Sequence, residues 1–383
     1  MRIAQLSCVV LAAGLIALTG AGCQKRETAA AVQASSAPPA ATTAPPKATE
    51  PIAKQVNALA GITQEEAGIK IRVDMPEIKD FLAQSKQGPI IPALKQNAIP
   101  QGMAYVEEKN WIVISHYREE GKSGLLTVVD AGSGKLVKAL ELYKDAATPY
   151  TGHAGGVAVS SRYVWLSSDG NLYYFPKDDL LQAGETGKLV FKGLVSTGTR
   201  ASFNAYADGV LWAGEFAQGT SYPTDASHYM TNRDGKEHKA WAVGYKLDPA
   251  TDMPVALKGD KAGSALTPDL ILSLPDSVQG MYLNADGVWL SQSYGRNSIS
   301  DITRYKHTAS EAPHATVKVG QAEVPVWFLD SKDKGKKMVV PPMAEGIFVH
   351  SGDLHILFES GATKYMTSST YALDRIHILP WRE

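Results

Sequence analysis

The chain has 383 residues, 44% hydrophobic and 20% charged, with a formal net charge of -1. That apolar fraction is ample for a core, and the near-neutral balance excludes the general cationic surface that nucleic-acid binding needs. The lysine-rich run at 332–337 reads as a solvated loop.

The first element in chain order is a leader. Arg2 precedes an apolar stretch over residues 6–18, too short to span a bilayer, and the small residues 19–22 lead to Cys23. Residues 1–22 therefore read as a signal peptide. The pattern resembles a bacterial lipoprotein leader, which implies lipidation at Cys23; ordinary cleavage after Ala21 is the alternative, since Thr19 and Ala21 satisfy the small-x-small rule. Residues 23–55 are rich in Ala, Pro and Thr and lack the apolar side chains needed to offset chain entropy, so they read as a disordered tether. The expected setting is the cell envelope, outer-membrane or periplasm-facing, with a lipid anchor in the membrane. Cys8 and Cys23 are the only cysteines, which leaves the body without a disulfide, a thiolate metal site or a cysteine nucleophile.

Residues 56–96 form a lead-in. A short helix is expected over 76–85, with Ile78, Phe81 and Leu82 on one face, and residues 67–74 (AGIKIRVD) read as a strand available for ring closure. From 97 to 383 the pattern is all-β. Five segments share one plan, in which a first strand opens on a small residue, a turn rich in Gly, Asp or Asn follows, and a second apolar strand ends in polar residues. The first strands begin near Gln101, Gly155, Phe203, Gln279 and Glu345; the second strands begin near Trp111, Tyr163, Val210, Val288 and Leu354. Third-strand runs follow, as at 171–175, 241–247 and 302–305. Sheets apolar on both faces bury them by stacking around an axis, so the fold class expected is a β-propeller of about five four-stranded blades. The pattern, including the turn Asp130-Ala-Gly-Ser-Gly-Lys135, resembles exported bacterial propellers of the streptogramin-lyase-like and gluconolactonase-like class. The resemblance is of fold pattern and carries no catalytic signature with it.

In a propeller, first-strand starts and second-strand ends share one face of the ring. The residues placed there are Gln101, His153, Ser202, Asn204, Gln279 and Glu345, and then His116, Tyr117, Arg118, Asp169, Glu215, Tyr294, Arg296 and Glu359. Two chemistries fit. As a binding site for a small molecule, glycan or protein, Arg118 and Arg296 would grip an anionic group while Tyr117, Tyr294, Gln101 and Gln279 add hydrogen bonds and stacking, with Glu345 and Glu359 beside them. As an enzyme, Glu215, Glu345 and Glu359 would hold Ca²⁺ or Mg²⁺ while His116 or His153 moves a proton, giving a lactonase-like hydrolase or a lyase. No Gly-x-Ser-x-Gly elbow supports serine chemistry. A third reading is an envelope scaffold that docks partners on its outer rim. The insertion 217–239 leaves from Glu215 and should overhang the same face.

Overall fold

Two-residue turns set the repeat. Asp208-Gly209 and Ser351-Gly352 both carry positive φ at each position (50° and 77°, 52° and 81°), the geometry that matches the twist of two antiparallel strands. Asp169-Gly170 does the same one hairpin later, between second and third strands. The computed structural model describes residues 57–381, except 70, 72, 257–259, 261–262 and 307–310. Within them the chain is a five-bladed β-propeller. The leader, Cys23 and the tether lie outside the described residues.

Blade 1 comprises Ala98–Val106, Trp111–Arg118, Leu125–Asp130 and Leu136–Tyr143. Blade 2 comprises Val157–Val159, Tyr163–Ser168, Asn171–Pro176 and Gly193–Ser196. Blade 3 comprises Phe203–Ala207, Val210–Gly214, Ala240–Lys246 and Leu270–Leu274. Blade 4 comprises Val278–Asn284, Gly287–Gln292, Ser300–Tyr305 and Lys334–Val340. Blade 5 comprises Ala344–His350, Asp353–Phe358, Arg375–Pro380 and, as its outer strand, Lys86–Ile90. The first strand of each blade is the inner one, and neighbouring inner strands touch in ring order.

Closure thus comes from the N-terminal side of the chain, but not from residues 67–74. There Gly68 takes a φ of 74° and the Ala67 N–H is held by the Asp374 carboxylate at 2.8 Å, so the segment leaves the ladder. Lys86–Ile90 pairs with Arg375–Pro380 instead. It contains Gly88 and Pro89, poor strand formers that an outer edge tolerates. The helix Lys79–Gln84 precedes it and buries Phe81 edge-on against Phe358, 6.1 Å between ring centres. Leu82, expected on the buried face, is 45% exposed.

Apolar side chains fill each wedge between adjacent blades. Val113, Leu126 and Leu140 of blade 1 meet Val157, Leu166 and Phe175 of blade 2. Phe203, Trp212 and Leu272 of blade 3 meet Met281, Leu290 and Tyr305 of blade 4. Burying a side chain of this size contributes roughly 1.5–3 kcal/mol, so the wedges hold the ring. Two insertions add outer stitches. Thr186–Val190, from the third-to-outer connection of blade 2, runs parallel to the outer strand of blade 1. Ala322–Phe328, from the same connection of blade 4, runs parallel to the outer strand of blade 3.

At the ring's centre the backbones nearly touch: a Cβ on Gly102 would stand 2.6 Å from Gly156 Cα. The channel narrows there to about 10 Å³, the space of a single water. The face above it is therefore a funnel with a floor.

Candidate functional site

The funnel encloses about 610 Å³ and is lined by strand starts and strand ends. Three inner strands carry a β-bulge at the same repeat position. Their ladders shift register between Pro100 and Gly102, between Val278 and Gly280, and between Ala344 and Ile347. A bulge drops a residue from the pairing and re-aims its side chain. Gln101, Gln279 and Glu345 are residues dropped in this way, and all three line the funnel.

The floor is acidic. Glu345 is 2% exposed and lies against the carboxyl of Glu359. Burial, and then the neighbouring carboxylate, raise Glu345 well above the ordinary carboxyl range. Glu359 is half-buried and lines the cavity; burial pushes it up to about 7, against the pull of its Gln101 hydrogen bond and the Lys364 charge. Two such groups in contact cannot both ionise freely, so the pair keeps a proton well above the pH at which a lone carboxyl loses it. Gln101 Nε2 donates to Glu359 Oε2 at 2.9 Å, and Gln101 Oε1 lies 2.9 Å from His153 Nε2. With the amide so oriented, His153 donates from Nε2 and leaves Nδ1 as its acceptor. The Tyr117 ring lies over that imidazole, 4.3 Å between centres, and its hydroxyl meets Tyr365 Oη at 3.1 Å.

The upper funnel is cationic and aromatic. Arg296 lies over the Tyr365 ring at 4.9 Å and donates to Ser368 Oγ at 3.1 Å. Arg200 donates to the Pro223 carbonyl at 3.0 Å. Among the described residues neither guanidinium has a carboxylate within ion-pair distance. Lys364 is engaged by Glu119 at 2.6 Å. Phe216, Tyr222 and Tyr294 form one wall, with ring centres 5.2 to 6.3 Å apart.

Of the residues expected at a ligand site, Gln101, Tyr117, Gln279, Tyr294, Arg296, Glu345 and Glu359 line this funnel, as do His153 and Asp169. Four expected residues do not, and the first, Asn204, is buried at the constriction below, where it donates to the Trp165 carbonyl at 3.0 Å. Arg118 turns away to bond the Ser123 carbonyl at 2.7 Å and Glu141 at 2.6 Å. His116 is fully buried, bonded to Thr127 Oγ1 at 2.9 Å, and burial lowers it to about 3, so it cannot carry a proton to a ligand in the funnel. Glu215 is buried, accepting from His228 Nδ1 at 2.6 Å and from the Trp241 backbone N–H at 3.1 Å, with the His228 ring stacked on the Trp241 indole. The three-carboxylate set for Ca²⁺ or Mg²⁺ is therefore not assembled. Among the described residues no group of three His, Cys, Asp or Glu stands in metal-binding geometry.

Alternation explains these corrections. Side chains along a strand end point to opposite faces, so Tyr117 enters the funnel while His116 and Arg118 cannot, and Phe216 enters while Glu215 does not. Arg200, Phe216, Tyr365 and Lys364 were not singled out by the strand-end reading. Lys364 and Tyr365 belong to the connection that leaves Glu359, the strand end in blade 5 equivalent to Glu215, from which 217–239 departs. That earlier insertion is no loose lid. It carries a hairpin, Met230–Thr231 with Glu237–His238, and Arg233 ties it to Asp330 and Asp333.

No protein-family model matches the chain, and no curated protein matches it. Solved structures are similar to it only remotely. A glutaminyl cyclase from Myxococcus xanthus is 10% identical with a TM-score of 0.38, the match covering 77% of this chain and 93% of that one. BamB from Moraxella catarrhalis is 12% identical with a TM-score of 0.33, covering 85% and 96%. The WD40 domain of a Toxoplasma gondii coronin is 10% identical with a TM-score of 0.34, covering 75% and 72%. Likenesses this remote carry no function across.

Proposed function

We propose that this chain is an exported, lipid-anchored envelope propeller whose funnel binds a small organic ligand bearing an anionic group. One observation carries the reading: Arg200 and Arg296 stand on an aromatic-walled cavity of about 610 Å³ without carboxylate partners among the described residues. Cavities of 300–1,000 Å³ with a few placed polar groups are the usual small-molecule sites. Guanidinium groups held by neutral acceptors and a ring keep their charge available to a carboxylate or phosphate. The anchor rests on the sequence around Cys23, which lies outside the described residues. A rim-docking scaffold has less support, since on the outer strands the exposed large apolar side chains are Val190 and Leu194.

A hydrolase or lyase reading keeps one supporting feature, the proton shared at the Glu345–Glu359 floor beside His153. That pair would serve as acid and base without a metal.

A thermal-shift screen of the purified protein against small carboxylates, phosphates and sugars tests the first reading. Stabilisation by anionic compounds, abolished in the Arg200→Ala/Arg296→Ala variant, is expected. A response to neutral sugars alone would overturn it. For the anchor, mass spectrometry of the N-terminal peptide should find a diacylglyceryl group on Cys23; an unmodified N-terminus at Gly22 or Cys23 would refute it.

A further inference from the structure

Glu345 is an unusual side chain to leave at the bottom of a cavity. It is 2% exposed, it lines the funnel, and among the described residues its one side-chain hydrogen-bond partner is another carboxyl. Its contact is the carboxyl of Glu359, which takes one hydrogen bond from Gln101 at 2.9 Å. Neither carboxyl has a basic side chain within ion-pair distance among the described residues. Lys364 and Arg296 act on Glu359 only across space, Lys364 being held by Glu119 at 2.6 Å. A buried carboxyl and a half-buried one with so few donors make a receptor waiting for one.

We propose that the Glu345–Glu359 floor receives a protonated amine, so that the funnel takes a zwitterion: an amino-acid derivative or short peptide whose ammonium sits on the floor and whose carboxylate reaches Arg296. The inference rests on the anion-binding reading above and deepens it. An ammonium brings three donors and no acceptor, which matches two carboxylates and excludes a hydroxyl or amide as an equal substitute. The exchange conserves buried charge. Before binding, the pair and its shared proton carry one negative charge; afterwards two carboxylates and one ammonium carry the same. The displaced proton leaves to solvent, and no bond in the ligand is made or broken. The other titratable groups facing the pair are His153, through Gln101, and Tyr365 and Tyr117 above it. The wall of Phe216, Tyr222 and Tyr294 suits an apolar side chain between the two charged ends.

Isothermal titration calorimetry on the purified full-length protein at pH 7 is the test. The probes are a panel of free amino acids and dipeptides with apolar side chains, their N-acetylated forms, and the matching amines without a carboxylate. Each is run in two buffers of different ionisation enthalpy. The zwitterions should bind at least about tenfold more tightly than their N-acetylated forms, with a buffer-dependent enthalpy corresponding to release of close to one proton. Glu345→Gln should abolish both the preference and the proton release while weak binding of the N-acetylated form persists. Glu359→Gln is the second variant, with the same expectation. Equal binding of the acetylated and free forms, without buffer dependence, would overturn the amine site and leave the anion-binding reading standing. If no probe binds in the millimolar range, both fail.

Discussion

A Cβ built on Gly156 would fall 2.4 Å from the backbone nitrogen of Asn204, so the inner strands of blades 2 and 3 meet with no room for a side chain. The approach is backbone to backbone and cannot be relieved by a rotamer change. Gly156→Ala should therefore spread the ring at its narrowest point. Overpacking of this kind costs about 1–3 kcal/mol, visible as a lower denaturant midpoint with an unchanged slope. An unchanged midpoint would mean that the inner strands have slack the structure does not show.

The acidic floor and the buried histidines push stability in opposite directions with pH. The floor carboxyls keep protons that the unfolded chain gives up near pH ~4.3, since burial raises both and Glu359 stands at about 7. Their contribution is full in acid and is lost as pH rises, for Glu359 through about 7. His116, His355 and His377 are lowered by burial to about 3, about 4 and about 4. The unfolded chain protonates them below pH ~6.5, so their contribution is present above that value and lost on acidification. In the double variant Glu345→Gln/Glu359→Gln only the histidine trend remains. Denaturation from pH 4 to 8 should show its stability rising to pH ~6.5 and then levelling, whereas the native sequence rises less steeply over that range and turns down above it as the floor gives up its protons. Parallel curves for the two proteins would show that the pair holds no extra proton.

Much of the ring was legible because its determinants are local. Asp208-Gly209 and Ser351-Gly352 announce their turns, and the repeated polar-Gly pair at Gln101-Gly102, Gln279-Gly280 and Glu345-Gly346 marks both the bulge and the close approach. The strand-end rule then brought Glu345 and Glu359 to one place. What escaped it depends on facts that repeats do not encode. Lys86–Ile90 closes the ring with a sequence that looks unlike a strand, because an edge partner needs only backbone. His116 and Glu215 sit one residue from funnel-facing neighbours, and at a strand end one residue is the difference between cavity and core. Arg200 and Tyr365 come from connections, whose path is set by tertiary packing.

Glu215 is a pin for blade 3. Its carboxylate accepts from His228 Nδ1 at 2.6 Å and from the N–H groups of Trp241 and Arg200 at 3.1 and 3.3 Å. Glu215→Ala would leave these donors stranded in a buried site, at about 1–3 kcal/mol for each one left unpaired. A loss of at least about 3 kcal/mol is expected in chemical denaturation. Addition of Ca²⁺ or Mg²⁺ should not rescue the variant or stabilise the native protein through this residue; a cation response lost with Glu215 would restore it as a metal ligand.

The hairpin in the long insertion of blade 3 depends on one side chain. The Arg233 guanidinium bonds both oxygens of Asp330, at 2.8 and 2.6 Å, and also reaches Asp333. The Asp330 side chain has no exposed surface, so removing its partner strands a buried charge. Arg233→Ala should raise hydrogen exchange across residues 225–239 while inner-strand amides stay protected. Arg233→Lys should recover only part of the protection, because an ammonium cannot make the forked contact. Unchanged exchange in Arg233→Ala would show that the hairpin is held by other contacts.

Arg118 and Arg296 looked equivalent at two strand ends, and the structure separates them. Arg118 is 10% exposed at its side chain and spends its donors on Ser123 and Glu141. Arg296 is exposed on the funnel, stacked on Tyr365, with no carboxylate partner among the described residues. A charge-assisted hydrogen bond contributes about 1.5–3 kcal/mol, so Arg296→Ala should weaken an anionic ligand by roughly ten- to a hundredfold with little change in melting temperature. Arg118→Ala should do the reverse, lowering the melting temperature while affinity holds. Titration calorimetry and thermal melting of the two variants, read together, decide it: if affinity follows Arg118 and ignores Arg296, the ligand does not lie in the funnel.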